Sequence, residues 1–220
     1  MQIQENLRAV ATAYKAFKSA FAPNKTTDEL FATFEASLRE TLGEYEIVYD
    51  YIWGKDSLNI DGVTKNYMPQ LGDTLVMDIS VGKNGVWCDV CRTFFVGEPS
   101  KKQREIFDMV ERSLRAGHKA LQTGAKASDI YTAVNTVYES NGKKLVHHAG
   151  HQIGEKPLMQ PQFLPENDTP LVCGALYTVE SGLYEAFGLR LENDYLLQEN
   201  GAVDLFEEML PLDIKEYILK

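Results

Sequence analysis

The stretch from residue 74 to residue 96 constrains the fold more than any other part of the chain. Two runs rich in β-branched, aromatic and aliphatic residues, 74–81 and 86–96, flank the segment Gly82-Lys83-Asn84-Gly85. Asn-Gly between two such runs is a strong hairpin signal, because both residues tolerate the positive φ of a tight turn. The sequence therefore predicts an antiparallel hairpin here, with residues 82–85 as its turn.

Helices and further strands are predicted on both sides of this hairpin. Apolar residues recur with a helical period in four segments: 6–21, 27–38, 101–121 and 128–141. Thr27 and Ser128 are the predicted caps of the second and fourth helices. Strands are predicted over 45–53, 175–180 and 188–197, with a loop over 181–187 between the last two. This mixture indicates an α+β fold, and since no repeat or linker divides the sequence we expect a single domain over residues 1–220.

Charge and composition exclude several classes of partner. The 220 residues carry a formal net charge of −10, whereas nucleic acids and anionic membranes are bound by clustered Lys and Arg. No stretch approaches the roughly 20 apolar residues that span a bilayer, and the polar N-terminus lacks the order of a signal peptide. The three cysteines, an odd number, suit a reducing compartment. We therefore expect a cytoplasmic protein with neither a nucleic-acid nor a membrane partner.

Two acidic residues lie inside the apolar strands of the hairpin. Asp78 is flanked by Met77 and Ile79, and Asp89 lies on the returning strand. A carboxylate in such a run is costly unless it is paired or binds a metal ion. The hairpin places the two strands side by side, so both carboxylates can share one face, and a cation between them would relieve their repulsion.

The same pattern recurs near the C-terminal end of the chain. Glu180 and Glu192 each lie in an apolar strand, and His151 lies between glycines at 150 and 154, which we expect to be needed for close backbone approach. A plainer interpretation competes with a metal site. Taken singly, an acid in a strand is usually a solvent-facing residue of an amphipathic sheet, and a histidine near glycines is usually a loop residue.

Taken together, these segments resemble one known family along most of the chain. The matching segments, in chain order, are Met77-Asp78-Ile79 with Asp89 eleven residues later, Arg92-Thr93-Phe94, Gly150-His151-Gln152-Ile153-Gly154, Glu180-Ser181-Gly182-Leu183-Tyr184 and Arg190-Leu191-Glu192-Asn193. They are similar to the motifs of the metallopeptidases that include methionine aminopeptidases, Xaa-Pro aminopeptidases and prolidases. The resemblance implies the pita-bread fold of that family. It is stronger to the Xaa-Pro branch, whose usual N-terminal domain has no counterpart in this sequence.

The resemblance also implies a dinuclear metal centre. It assigns Asp78, Asp89 and Glu192 to the first ion, and Asp89, His151, Glu180 and Glu192 to the second. Mostly oxygen ligands with one imidazole suit manganese, and also iron, cobalt or zinc. Two such ions can share and deprotonate a water, which implies hydrolysis of a peptide or amide bond near a free N-terminus through a metal-bridging hydroxide.

Other residues receive roles by the same resemblance. Glu180 relays a proton, and His147 is expected to act in catalysis and to contact the substrate. His148, Tyr184 and Arg190 are the remaining candidates for substrate binding. Because Arg190 shares a strand face with Glu192, it is a candidate to orient a carboxylate ligand or the substrate C-terminus, with a structural ion pair as the alternative. A peptide or small amide is therefore the expected substrate, and the oligomeric state stays open, with a homodimer as one option.

The sequence departs from the family pattern at the substrate side of the site. Active members carry a histidine seven residues after the ligand histidine, where this chain has Leu158, and another about eighteen residues before Asp78, where the segment 58–62 has none. A missing donor of this kind typically lowers a rate by a factor of about 100 to 1,000. Two hypotheses follow: a hydrolase with altered substrate recognition, or a catalytically impaired metal-binding relative that acts as a peptide- or protein-binding module.

Overall fold

The computed structural model describes residues 2–220. Its helices are α1 (Gln2–Ala20), α2 (Thr27–Leu42), α3 (Lys101–Ala120) and α4 (Ala127–Glu139). Its strands are β1 (Glu46–Trp53), β2 (Thr74–Lys83), β3 (Val86–Val96), β4 (His151–Ile153), β5 (Met159–Gln162), β6 (Leu176–Tyr184), β7 (Gly188–Gln198), β8 (Gly201–Asp204) and β9 (Ile218–Leu219). Two short 3₁₀ helices span Gly54–Leu58 and Ile214–Tyr217. The α+β prediction is confirmed.

All described strands belong to one sheet. Its main order is β1-β2-β3-β7-β6-β4-β5, with antiparallel neighbours throughout. Strand β8 pairs with β7, and β9 runs parallel to β3. The centre of the sheet is the β3–β7 junction, which joins an N-terminal half, β1 to β3, to a C-terminal half, β4 to β7. Residues distant in sequence therefore become neighbours at the middle of the sheet.

The predicted antiparallel hairpin forms, with a shorter turn than expected. Lys83 pairs with Val86, so only Asn84 and Gly85 form the loop, with φ values of 53° and 71°. The predicted four-residue turn was wrong by two residues, because a two-residue loop with positive φ at both positions matches the twist of the strands and lets them pair up to its edge.

Three other local predictions were wrong. Thr26, rather than Thr27, caps α2, and its side chain accepts the Glu29 N–H at 3.3 Å. Helix α4 begins at Ala127, which places Ser128 inside its first turn instead of at the cap. Most of the predicted 181–187 loop is strand, because the β6–β7 ladder continues to Tyr184 paired with Gly188.

The helices cover one face of the sheet and leave the other to the site. Helix α1 packs on β2 and β3, where the Tyr14 hydroxyl donates to the Met77 carbonyl at 2.8 Å. Helix α3 packs on β6, with Gly117 against Val179. Successive residues of a strand point to opposite faces, so the next residue, Glu180, points away from the helices. The core thus forms between helices and sheet, while the acidic residues project from the far side.

Gly117 is required by this packing, which leads to a stability prediction. A Cβ at this position would lie 2.6 Å from Val179 Cγ1 and 2.7 Å from Val134 Cγ2, inside a buried contact. We expect Gly117→Ala to lower the free energy of unfolding by about 1–3 kcal/mol through overpacking. Urea denaturation followed by circular dichroism measures the change. Gly154→Ala is the matched control, since its nearest neighbour would be Met159 Sδ at 3.4 Å, and equal stability of the two variants would contradict the prediction.

Candidate metal centre

A row of side chains crosses the middle of the sheet on the face away from the helices. Asp78 of β2 pairs with Cys91 of β3, Cys91 pairs with Glu192 of β7, and Glu192 pairs with Glu180 of β6. Directly opposite residues in neighbouring strands point to the same face. Three carboxylates from both halves of the sheet therefore share one row, with the Cys91 thiol between two of them.

Asp89 and His151 complete the cluster beside this row. Asp89 lies two residues before Cys91 on the same face of β3, and His151 begins β4. Ligand atoms of Asp89, His151 and Glu192 lie within 4.8 Å of one another, and all three residues are buried. His151 Nδ1 donates to the Gln152 carbonyl at 2.9 Å, which leaves its Nε2 lone pair free, 3.7 Å from Asp89 Oδ2. That tautomer is the one that binds a metal ion through Nε2.

Gly150 gives the chain room to bring His151 here. Its φ is +127°, and a Cβ would lie 2.1 Å from the Thr178 carbonyl oxygen. The expected need for glycine at 150 is confirmed. The same expectation for Gly154 was wrong, because nothing would crowd a side chain there closer than 3.4 Å.

Asp78 stands apart from the triad because Arg190 holds it. Arg190 Nη2 lies 2.6 Å from Asp78 Oδ2 and 3.0 Å from Asp50 Oδ2. Arg190 Nη1 donates to the Ile60 carbonyl at 3.1 Å. The guanidinium thus forms ion pairs with two carboxylates, one of which, Asp78, is a predicted metal ligand.

Glu180 is surrounded by imidazoles. Its Oε1 lies 2.8 Å from His148 Nδ1 and its Oε2 lies 3.3 Å from His147 Nδ1. Burial alone would raise the pKa of Glu180, but the two histidines outweigh burial and lower it below the usual range. Glu180 is therefore a carboxylate whose proton affinity depends on its histidine neighbours.

The other carboxylates have no neighbours that offset the effect of burial on their pKa to the same extent. Burial raises the pKa of Asp78 to about 6, with Arg190 opposing the rise. Burial and then the charge of Asp78 raise the pKa of Asp89, and burial and then Asp89 raise that of Glu192. Among the described residues, Asp89 Oδ1 is buried without a hydrogen-bond partner. The buried carboxylates thus have too few positive partners. Carboxylate oxygens together with one free imidazole nitrogen are ligands that divalent cations bind.

The cluster lies at the bottom of an open cavity of about 350 Å³. Its lining combines the five predicted ligands with two further acids, a serine, His148, Arg190 and a group of mainly apolar residues. In chain order the residues beyond the ligands are Val48, Tyr49, Asp50, Ile60, Asp61, Ser80, His148, Pro157, Leu158 and Arg190. A small ligand can therefore reach the carboxylates from solvent.

The predicted substrate residues divide into two groups. His148 and Arg190 line the cavity. His147 and Tyr184 do not: the His147 side chain is 5% exposed and its Nδ1 donates to the His148 carbonyl at 2.6 Å. A Cβ on Gly182 would lie 2.7 Å from the Tyr184 hydroxyl and 2.9 Å from His147 Nε2. Both polar atoms therefore lie next to Gly182, behind Glu180 as seen from the cavity.

Sequence reasoning missed residues that support the ligands. Asp194 is buried, and its Oδ2 accepts the Asp89 backbone N–H at 2.9 Å. The Thr178 hydroxyl donates to Glu192 Oε1. Asp194 follows Glu192 by two residues, so the period of the strand already placed both acids on one face. Asp50 carried no such signal, because its partner Arg190 lies 140 residues away.

Comparisons with known proteins find relatives along most of the chain. Residues 1–199 match the profile of metallopeptidase family M24. An uncharacterised peptidase of Methanocaldococcus jannaschii is 28% identical over 200 residues, covering 81% of this chain and 56% of that protein. An Xaa-Pro dipeptidase of Pyrococcus furiosus is 30% identical over 145 residues, covering 64% of this chain and 42% of that protein. The chain thus spans about half the length of the curated relatives it matches.

Solved structures show the same architecture. The prolidase from Pyrococcus furiosus superposes with a TM-score of 0.87 at 25% identity, covering 93% of this chain and 62% of that one. An X-Pro aminopeptidase from Thermotoga maritima gives 0.88 at 23% identity, covering 93% and 59%. The predicted pita-bread fold is confirmed. With its profile match over residues 1–199, the chain belongs to metallopeptidase family M24.

Proposed function

We propose that this chain is a dinuclear metal-dependent hydrolase that cleaves a peptide or amide bond near a free N-terminus. The observation that carries the proposal is the convergence of Asp89, His151 and Glu192 within 4.8 Å, at the bottom of a cavity that Asp78 and Glu180 also line. An open, acidic site of this kind has room for both ions and a small substrate. The names of the relatives, peptidase and Xaa-Pro dipeptidase, support the same reaction class.

The ligand sets are those implied by the motifs. Asp78, Asp89 and Glu192 would hold one ion, and Asp89, His151, Glu180 and Glu192 the other, with manganese the preferred metal and iron, cobalt or zinc as alternatives. When bound at such a site, two divalent ions polarise a carbonyl and lower the pKa of a bound water.

The residues of the chain supply positioning and proton transfer. Glu180 takes and returns a proton, and its contact with His148 Nδ1 at 2.8 Å gives that proton an adjacent acceptor. Arg190 orients Asp78, and the Asp194 carboxylate fixes the backbone at Asp89. Because His147 is buried behind Glu180, we propose that it positions that carboxylate; direct contact of His147 with a substrate stays a prediction.

The two histidines give a prediction that separates these roles. We expect His148→Ala to lower kcat/KM by a factor of about 100 or more, since His148 lines the cavity and a positioned acid–base group contributes about that much. His147→Ala should have a smaller effect, concentrated in kcat. Steady-state kinetics on both variants measure this, with melting temperatures as the control for folding. A larger loss in His147→Ala would assign the substrate contact to His147.

A non-catalytic alternative is favoured by one observation. Leu158, in the position of a family histidine, lines the cavity and is 47% exposed, and Ile60 and Asp61 line it from the segment where the second histidine is missing. The alternative is a metal-binding relative that serves as a peptide- or protein-binding module. Both hypotheses include bound metal, so turnover distinguishes them.

The test is an assay of the protein reconstituted with manganese. Xaa-Pro, methionyl and other short peptides and amides form the substrate panel, and bound metal is counted by elemental analysis. Turnover that requires the metal would support the hydrolase. Two ions bound per chain without turnover of any substrate would reject it in favour of the binding module. The predicted cytoplasmic location and the homodimer remain untested proposals.

A further inference from the structure

The charges that line the cavity restrict what can enter it. Six carboxylates face it, those of Asp50, Asp61, Asp78, Asp89, Glu180 and Glu192. Within the described part of the chain, Arg190 is its only lining residue that is arginine or lysine. Two divalent ions, with four positive charges, and the one guanidinium would nearly balance these six carboxylates, and a protonated His148, which also lines the cavity, would bring the net charge only to zero. A loaded cavity therefore has no surplus positive charge for an anionic substrate group.

Arg190 is not available to such a group. Both of its Nη atoms are engaged, with Asp78 and Asp50 at 2.6 and 3.0 Å from Nη2 and the Ile60 carbonyl at 3.1 Å from Nη1. The residue is 4% exposed. A substrate carboxylate could pair with the Nη atoms only by displacing these partners, which would leave buried carboxylates unpaired at a large cost in free energy. The Arg190 Nε atom has no partner, but it is buried.

The mouth of the cavity is apolar and acidic. Val48, Ile60 and Leu158 line it, and these residues are 54%, 39% and 47% exposed; the exposed Asp61 lies beside Ile60. Aliphatic groups offer no hydrogen bond to a carboxylate, and Asp61 repels it. The same groups suit an uncharged, apolar part of a substrate.

We propose that the site takes substrates that are neutral and apolar on the far side of the scissile bond, such as peptide amides and longer peptides, and discriminates against free dipeptides. This inference rests on the proposed function. In a dipeptide the carboxylate lies within one residue of the scissile bond, about 3.8 Å along the chain, so it must lie inside the cavity, among the acidic and apolar groups that line it. In a longer peptide the carboxylate can lie outside the cavity. Leu158 is the residue that sets this preference, because it replaces a donor with an aliphatic group.

The test compares matched pairs of substrates. With manganese-loaded protein, kcat/KM is measured for alanyl-proline against alanyl-prolinamide, and for leucyl-leucine against leucyl-leucinamide. Binding of the same four compounds is measured by calorimetry on Glu180→Gln, in which turnover should be at least about 100-fold slower. We expect each amide to be preferred at least about tenfold, since a charged group without its partner loses an interaction of that size. Equal preference, or preference for the free dipeptides, would overturn the inference while leaving a working hydrolase.

Variants at the mouth test the role of Leu158. Leu158→Arg should reduce the preference for the amides by roughly 10- to 100-fold, because it supplies a cation for the carboxylate. Leu158→Met, which keeps the apolar surface, and Leu164→Arg, which adds the same charge outside this cavity, should keep the ratio. A ratio that Leu158→Arg does not change would remove Leu158 from the inference.

The binding measurement separates the two proposals. Selective binding of the amides without turnover by the wild type would reject the hydrolase and support the inference about the cavity. If none of the four compounds binds or is hydrolysed, the inference about the cavity is rejected, and turnover of the wider substrate panel decides the hydrolase.

Discussion

Asp89→Asn is expected to lower kcat by about 1,000-fold or more, because the loss of a shared ligand removes several kcal/mol of metal-derived stabilisation from the transition state. Asp89 is one of the two carboxylates, with Glu192, that both predicted ligand sets share, and its Oδ2 lies 3.7 Å from His151 Nε2. An amide at this position keeps the volume but loses the charge. Elemental analysis should show fewer than two bound ions per chain.

The fold should survive this substitution. Asp89 is buried beside the charges of Asp78 and Asp194, and these charges and its own burial oppose its ionisation. Removing one negative charge relieves repulsion, so the metal-free variant should melt no lower than the metal-free wild type. The increase in melting temperature that manganese produces in the wild type should shrink in the variant. Asp108→Asn, on the exposed surface of α3, is the matched control. Full activity of Asp89→Asn would reject the metal centre.

Glu180→Gln is expected to lower kcat by a factor of about 100 to 10,000, the range of a lost acid–base group. Unlike Asp89, Glu180 belongs to only one of the two proposed ligand sets. The amide cannot take a proton, and it leaves His148 Nδ1 without its carboxylate partner at 2.8 Å.

Metal content distinguishes this variant from the previous one. At least one ion should remain bound to the Glu180→Gln variant, so its activity should fall by a larger factor than its metal content. Glu199→Gln, an exposed residue at the end of β7, is the control for loss of a surface charge. A variant with full activity would remove Glu180 from proton transfer, and a variant with neither ion bound would make it a structural ligand of the whole centre.

The hairpin and the row of acids could be predicted because their signals are local. Asn84-Gly85 specifies its turn within two residues, and the alternation of β3 places Asp89 and Cys91 on one face. The resemblance to a known family then joined Asp78, Asp89, His151, Glu180 and Glu192 into one site before the structure placed them along one face.

The rest depended on contacts between distant parts of the chain. Asp50 of β1 and Arg190 of β7, 140 residues apart, meet because the sheet order β1-β2-β3-β7 places their strands on the same part of the sheet, and no local pattern predicts that pair. The short strands β4 and β5 carry too few residues to show alternation. The position of His147 behind Glu180 follows from the β4–β6 pairing and the convergence on Gly182.

At the β3–β7 junction, two separate segments of the chain both supply ligands to the proposed metal centre. Its five proposed ligands come from β2 and β3 on one side of the junction and from β4, β6 and β7 on the other. The buried Arg92 of β3 links the two sides, because its Nη1 donates to the Glu192 carbonyl at 2.8 Å. Ions bound by ligands from both sides of the junction would act as a reversible cross-link, and they would stabilise the fold as a covalent bridge that closes a long loop does. If the chain were cut in the connection between α3 and α4, the two fragments would then bind each other more tightly with manganese than without it. The manganese concentration would set the affinity between them.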